Sequence, residues 1–124
     1  MKAFLLYTGS SVIFLWGLGH LLPTRNIVRG FGSQSEDNVR IITMEWIAEG
    51  LSLCFIGVLV FITVLFAGPN SQAVKIVAPA CAILLFALAT LSIFTGARTA
   101  IWAMRICPII KTITAVLFFS GTYL

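Results

Sequence analysis

The sequence IITMEWIAEGLSLCFIGVLVFITVLFA, residues Ile41–Ala67, is a nearly continuous apolar stretch. A hydrocarbon core of roughly 30 Å requires about 20 apolar residues in a helix, so this stretch predicts a transmembrane helix. Two carboxylates, Glu45 and Glu49, lie one helical turn apart near its beginning. Because acidic groups inside a membrane are costly, these glutamates are the first candidates for a functional role.

The composition also indicates a membrane protein. Hydrophobic residues make up 60% of the 124 residues and charged residues 10%, with a mean hydropathy of +1.07. A soluble domain has about 25% charged residues, so that class is excluded and the lipid bilayer is the first expected partner. The net charge of +4 comes from basic residues scattered at loop ends, without a clustered stripe, so no nucleic-acid partner is expected.

Further apolar stretches predict three more membrane spans. The chain has room for one domain, residues 1–124, and its short connections favour antiparallel neighbours. The predicted fold is therefore all-α, a polytopic membrane protein built as an antiparallel four-helix transmembrane bundle. The spans are expected at about residues 3–22, 41–67, 75–96 and 108–124.

Proline, glycine and serine predict where the helices begin. Pro79 and Pro108 are expected in the first turns of the third and fourth spans, where a missing N–H costs little. Residues 23–40 are expected to form a flexible loop, in which residues 33–36 fit a capping box that starts the second helix before the membrane. Residues 97–107 are expected to connect the last two spans as a short amphipathic segment in the interface.

The basic residues predict the orientation. Six of the eight lie in the loops after the first and third spans or just inside the fourth span: Arg25, Arg29, Arg40, Arg98, Arg105 and Lys111. The positive-inside rule therefore predicts a multi-pass protein of the cell membrane, with loops 23–40 and 97–107 in the cytoplasm and both termini outside. Trp46 and Trp102 are expected in the aromatic belt at the cytoplasmic interface.

The alternation of spans brings four helix ends to one side of the membrane, whatever the absolute orientation. The ionisable residues there are His20, Glu45, Glu49, Arg98, Arg105 and Lys111. Glu45 is close enough to the interface to reach water or Arg40, whereas Glu49 lies about 12 Å deep if the span begins at Ile41. Three interpretations of Glu49 stay open: an ion pair with Arg or Lys that holds helices together, a ligand-binding or catalytic role, and an exposed position.

His20 ends the segment Trp16-Gly17-Leu18-Gly19-His20, in which Gly17 and Gly19 predict the close approach of another helix. A histidine here can bond to a carboxylate, ligate a metal or carry protons, and a His–Glu hydrogen bond is expected. The recognisable ligand spacings of metal sites are absent, so no metal site is predicted and no cofactor is assigned. A bis-His haem would need two subunits.

The cysteines Cys54, Cys81 and Cys107 are odd in number and form no C-x-x-C pair. This pattern argues against a disulfide framework and against a zinc site. All three are expected to be small apolar packing residues.

Two segments, FLWGLGHLL (Phe14–Leu22) and EWIAEGLSLCFIGVL (Glu45–Leu59), resemble the DoxX-like family of small four-helix bacterial membrane proteins. The resemblance covers roughly the first half of the chain and implies the fold more than a function. It matches Glu49, rather than Glu45, to the recurring acidic position of the family, whereas many relatives carry Lys in place of His20. Some relatives are membrane subunits of redox complexes such as thiosulfate:quinone oxidoreductase, but no cofactor residues here support that activity.

The leading functional prediction is a small membrane protein that binds a lipid-like or quinone-like ligand, or a partner subunit, at the polar end. The predicted ligand-binding residues are His20, Glu45, Glu49, Trp16, Trp46 and Arg98. One alternative is an intramembrane enzyme in which Glu49 and His20 form a catalytic acid–base pair. The others are a structural or assembly subunit of a membrane redox complex, and an ion-coupled transporter, which four spans would support only as a homo-oligomer.

Overall fold

The computed structural model describes all residues from 1 to 124 and contains five α-helices, one short 3-10 helix and no strand. The elements are α1 (Lys2–Leu21), α2 (Thr24–Gly30), α3 (Glu36–Ala67), α4 (Gln72–Phe94), the 3-10 helix (Gly96–Arg98) and α5 (Trp102–Tyr123). Of these, α1, α3, α4 together with the 3-10 helix, and α5 are long and apolar enough to cross a membrane. The predicted all-α, four-helix transmembrane bundle is confirmed.

The four long helices pack in a ring. The main contacts join α1 to α3, α4 to α5 and α1 to α5, whereas α3 and α4 touch much less. Only 29 of the 124 residues are buried, although 60% are hydrophobic. Most apolar side chains therefore cover the outside of the bundle, as expected for a surface in contact with lipid.

Small residues let α1 and α3 approach closely. A Cβ atom added to Gly17 would lie 2.8 Å from the carbonyl oxygen of Gly50, and one added to Gly57 would lie 2.7 Å from the carbonyl oxygen of Ser10. Glycine at these positions lets the two backbones come into direct contact, which confirms the prediction for Gly17. Gly19 has no neighbour within 4 Å of its added Cβ atom, so the same prediction for Gly19 is wrong.

The beginning of α3 differs from the prediction by two residues. The N-cap is Ser35, whose hydroxyl accepts a hydrogen bond from the backbone N–H of Asn38 at 3.2 Å, and the capping box at residues 33–36 is not used. The polar segment before it contains the seven-residue helix α2 where a flexible loop was expected. At its other end α3 stops at Ala67, where the predicted span also ends, and the C-cap Gly68 has φ +83°.

Both membrane prolines lie deeper in their helices than predicted. Helix α4 begins after the N-cap Ser71, so Pro79 is its eighth residue, and α5 begins at Trp102, so Pro108 is its seventh. The segment 102–107 therefore belongs to α5 and forms no separate interfacial helix. Each proline was predicted in the first turn of its helix, whereas both helices begin one to two turns before it, in α5 with the largely apolar residues 102–107. Because proline has no N–H, the backbone hydrogen bond of Pro108 to the preceding turn is missing.

Candidate functional site

A cavity of about 740 Å³ lies at the predicted polar end of the bundle. It is bounded by α3, α4 and α5, with the end of α1 at its base, on the side where α3 and α4 touch least. Apolar side chains, among them Leu84, Leu88 and Leu91 of α4, form much of its wall. Its ionisable and nucleophilic lining residues are His20, Glu45, Glu49, Cys107 and Lys111. The cavity therefore combines an apolar wall with a compact polar base.

Glu49 and Lys111 form an ion pair at that base. The ammonium of Lys111 donates to Oε1 of Glu49 and, at 2.8 Å, to the hydroxyl of Ser92. That hydroxyl in turn donates to the carbonyl of Leu88 at 2.8 Å. The three charged and polar groups join α3, α4 and α5, and the interpretation that Glu49 pairs with Arg or Lys is confirmed. The side chain of Lys111 is 1% exposed and that of Glu49 is 30% exposed.

The imidazole of His20 is held in one orientation. Its Nδ1 lies 3.0 Å from the carbonyl oxygen of Trp16, and its ring stacks on Trp46 with a centroid separation of 4.9 Å. The indole N–H of Trp46 donates to the backbone carbonyl of His20 at 2.7 Å. Because a carbonyl oxygen only accepts, Nδ1 carries the proton in the neutral ring, and Nε2 keeps its lone pair.

The expected hydrogen bond between His20 and Glu49 is not formed. Nε2 of His20 and Oε1 of Glu49 are 4.0 Å apart, beyond hydrogen-bonding distance. The physical reason is that Lys111 occupies the carboxylate while the backbone of α1 takes the Nδ1–H. An acid–base pair of Glu49 and His20 is therefore not assembled by direct contact.

Cys107 is the site residue that sequence reasoning missed. Its Sγ lies 3.8 Å from Nε2 of His20 and 3.8 Å from Oε1 of Glu49, and it accepts the indole N–H of Trp16 at 3.4 Å. The thiol is buried among polar groups, which differs from the apolar packing role expected for it. Its spacing of i, i+4 from Lys111 was the available signal, because residues four apart share one helix face.

Trp46, which was expected in the aromatic belt, is buried against His20. With 9% of its surface exposed, its ring supports the histidine from inside the bundle. Trp102 is 69% exposed, which suits an interfacial position.

Two of the predicted site residues lie away from the polar base. Arg98 is not among the cavity-lining residues, and its guanidinium lies 5.7 Å from the ring centroid of Phe94. Glu45 lines the cavity but is exposed. Of its two predicted partners, water and Arg40, only water fits this exposure, since Arg40 forms its ion pairs with Glu36 and Asp37 at 3.2 Å and 3.4 Å.

No protein-family model, curated protein or solved structure matches this chain. The resemblance to the DoxX-like family stays a prediction carried by the two segments quoted above.

The base of the cavity offers hydrogen-bond donors, hydrogen-bond acceptors and a thiol. The Lys111 ammonium is a hydrogen-bond donor, the Glu49 carboxylate and Nε2 of His20 are acceptors, and Cys107 supplies a thiol. His20, Glu49 and Cys107 also form the one group in the structure whose side-chain atoms lie close enough together to hold a metal ion.

Proposed function

We propose that the protein binds a quinone-like amphipathic molecule taken from the bilayer, with its polar head at Lys111 and its apolar part along α4. The observation that carries the proposal is the ion pair between the buried Lys111 and the half-buried Glu49 at the base of an apolar-walled cavity. A buried ion pair is weak evidence for stability, because desolvation of both charges offsets their attraction. Charged groups at this depth are therefore better explained by a ligand.

The charge balance favours a neutral head group. The ammonium of Lys111 has three N–H donors, of which Glu49 and Ser92 each accept one. The third donor has the thiol of Cys107 as its neighbour, a weak acceptor that a carbonyl oxygen of a quinone-like ring can replace. Because Glu49 already neutralises the ammonium, a head group carrying its own negative charge would add an uncompensated charge in a medium of low dielectric constant.

The position of the cavity supports entry from lipid. Helices α3 and α4 share the sparsest contact of the ring, and the cavity lies between them. Leu84 and Leu91 of α4 line the cavity and are 47% and 60% exposed, so its apolar wall continues onto the outer surface. An apolar tail can follow these side chains without crossing water.

The test is quenching of tryptophan fluorescence by a short-tailed ubiquinone analogue. Trp46 lines the cavity, so a bound quinone ring is expected to quench it in a saturable manner in lipid nanodiscs. Lys111→Met is expected to weaken binding at least tenfold, about the effect of losing one charge-assisted hydrogen bond. Lys75→Met, which removes an exposed lysine outside the cavity, is the matched control and is expected to bind as the wild type does.

Two results would count against the proposal. Non-saturable quenching in the wild-type protein would argue against a bound quinone-like ligand. Equal affinities of Lys111→Met and Lys75→Met, with circular dichroism showing both folded, would argue against Lys111 as the head-group donor. Competition by a long-chain fatty acid at lower concentration than the quinone would reassign the head group to a carboxylate.

The alternative of an acid–base enzyme has less support. Nε2 of His20 and Oε1 of Glu49 are 4.0 Å apart, and Lys111 engages the carboxylate that would act as the base. A role as a subunit of a larger membrane complex would use the apolar outer surface. Co-purification of a partner in fixed stoichiometry, with Lys111 and Glu49 dispensable, would favour that role.

The orientation proposed with this function puts the cavity at the cytoplasmic side. The basic residues of the segments after α1 and α4 support it through the positive-inside rule. A reporter enzyme that is active only outside the cytoplasm, fused after Leu124, is expected to be active. An inactive reporter, together with an active cytoplasmic reporter at the same position, would reverse the orientation.

A further inference from the structure

Three potential metal ligands form a nearly regular triangle at the base of the cavity. Nε2 of His20 and Sγ of Cys107 are 3.8 Å apart, Sγ of Cys107 and Oε1 of Glu49 are 3.8 Å apart, and Nε2 and Oε1 are 4.0 Å apart. The point equidistant from all three atoms lies about 2.2 Å from each, within the range of roughly 2.0–2.3 Å for zinc bonds to nitrogen, oxygen and sulfur. That point lies in the plane of the three atoms. In a tetrahedral site with bonds of this length the ligand atoms lie about 3.3–3.7 Å apart, so the side chains must close by a few tenths of an ångström to hold the ion.

Hydrogen bonds with neighbouring groups orient His20 and Cys107, as is usual for metal ligands. The Nδ1–H of His20 is directed at the carbonyl of Trp16, which leaves the Nε2 lone pair facing the triangle. A backbone carbonyl that receives the second ring N–H is the usual outer partner of a ligating histidine. The indole N–H of Trp16 donates to Sγ of Cys107, which stabilises negative charge on sulfur. Trp46 packs against the imidazole and limits its rotation.

We infer that His20 Nε2, Cys107 Sγ and the Glu49 carboxylate bind one Zn²⁺ ion, with the fourth position facing the cavity. Imidazole, thiolate and carboxylate are all zinc ligands, and three protein ligands with one open position are typical of a zinc site that binds an exchangeable molecule. The prediction of no metal site considered ligand spacing along the sequence, and Cys107 is 87 residues away from His20.

The charges around such a site leave room for one more anion. Binding removes the thiol proton of Cys107, which leaves to solvent, and the resulting thiolate and the Glu49 carboxylate offset the two charges of Zn²⁺. The ammonium of Lys111 then leaves a net charge of +1, which an anionic ligand at the fourth position would neutralise. The ammonium of Lys111 contacts the same carboxylate oxygen, so it competes with the metal. Lys111 retains Ser92 as an acceptor at 2.8 Å when the metal takes that oxygen.

The inference goes beyond the proposed ligand and does not require it. The assay therefore contains no quinone: full-length protein in nanodiscs is titrated with Co²⁺, which takes tetrahedral zinc sites and reports thiolate ligation by a charge-transfer absorption. One equivalent of Co²⁺ per chain is expected, with that absorption and with displacement by Zn²⁺. Wild-type protein that shows no thiolate absorption at saturating Co²⁺ would overturn the inference, whatever the result of the quinone assay.

Three variants separate the site from unspecific binding. Cys107→Ser is expected to lose the thiolate absorption and to bind Co²⁺ at least tenfold more weakly. Cys54→Ser is the matched control, because its sulfur lies against the carbonyl of Phe14 on α1 and outside the cavity, and it is expected to bind as the wild type does. Lys111→Met is expected to bind at least tenfold more tightly, since a competing cation is removed.

The outcomes are distinguishable even if Cys107→Ser is unstable. Tighter binding by Lys111→Met supports the inference without any change in the ligands, because a merely structural role for Lys111 would weaken the site. Unchanged or weaker binding by Lys111→Met, or loss of the absorption in Cys54→Ser with retention in Cys107→Ser, would overturn it.

Discussion

The ion pair of Glu49 and Lys111 is expected to couple α3 to α5 energetically, and a double-mutant cycle measures this coupling. The variants are Glu49→Gln, Lys111→Met and the double variant. Removing one member of a buried ion pair costs about 3–5 kcal/mol, because the remaining charge has no partner in a medium of low dielectric constant. Since Glu49 is 30% exposed, values at or somewhat below the lower end of that range apply here.

The two single variants are expected to differ. In Glu49→Gln the lone ammonium is 1% exposed, whereas in Lys111→Met the lone carboxylate is 30% exposed. We therefore expect losses in unfolding free energy of about 3 kcal/mol for Glu49→Gln and about 2 kcal/mol for Lys111→Met. The double variant leaves no unpaired charge and is expected to lose about 2 kcal/mol, which corresponds to a coupling energy of about 3 kcal/mol.

The assay is reversible unfolding of the full-length protein from mixed micelles by increasing fractions of SDS, followed by tryptophan fluorescence. A chelator is present throughout, so that metal binding does not contribute. Lys75→Met is the control, because Lys75 is exposed and lies outside the site, and it is expected to change stability by less than about 0.5 kcal/mol. If the two single losses simply add in the double variant, the ion pair does not couple the helices and the reasoning is refuted.

Two further predictions concern the packing of α1 and the start of α3. Gly17→Ala is expected to destabilise the protein by about 1–3 kcal/mol, because the new Cβ would lie 2.6 Å from a sulfur atom of α3. Gly19→Ala is the control: its Cβ would have no neighbour within 4 Å, so this variant is expected to be neutral or slightly stabilising. Equal losses in the same unfolding assay would contradict the close contact of α1 and α3. Ser35→Ala is expected to cost about 1 kcal/mol and to speed hydrogen exchange at the amide it caps, while Ser33→Ala leaves both unchanged. Faster hydrogen exchange in Ser33→Ala and not in Ser35→Ala would show that Ser33 is the N-cap, as the sequence predicted.

The candidate site was only partly predictable. The depth of Glu49 in an apolar run indicated a charged partner, and the structure identifies it as Lys111. Because successive spans cross the membrane in opposite directions, His20 was expected at the same end as Glu49. In the structure its Nε2 lies 4.0 Å from the Glu49 carboxylate, without a hydrogen bond. Cys107 was missed because a single cysteine in an apolar segment carries no spacing signal, and its role depends on three helices meeting.

The helix boundaries were also predicted only in part. The end of α3 was predicted correctly, since Gly68 is a local signal that stops a helix whatever surrounds it. The positions of Pro79 and Pro108 were predicted wrongly, since the local preference of proline for the first turn of a helix does not hold for these two, which lie one to two turns inside.

Four membrane-crossing helices and one polar end can be predicted from the amino-acid sequence alone. Both follow from properties that add up along the chain: the apolar length needed to cross the hydrocarbon core, and the high cost of charge within it. Which side chains meet at that end depends on the packing of the helices. The ion pair, the orientation of His20 and the triangle with Cys107 depend on how each helix is rotated about its axis. That rotation is set by contacts such as those at Gly17 and Gly57, where two backbones touch, and hydropathy does not encode them.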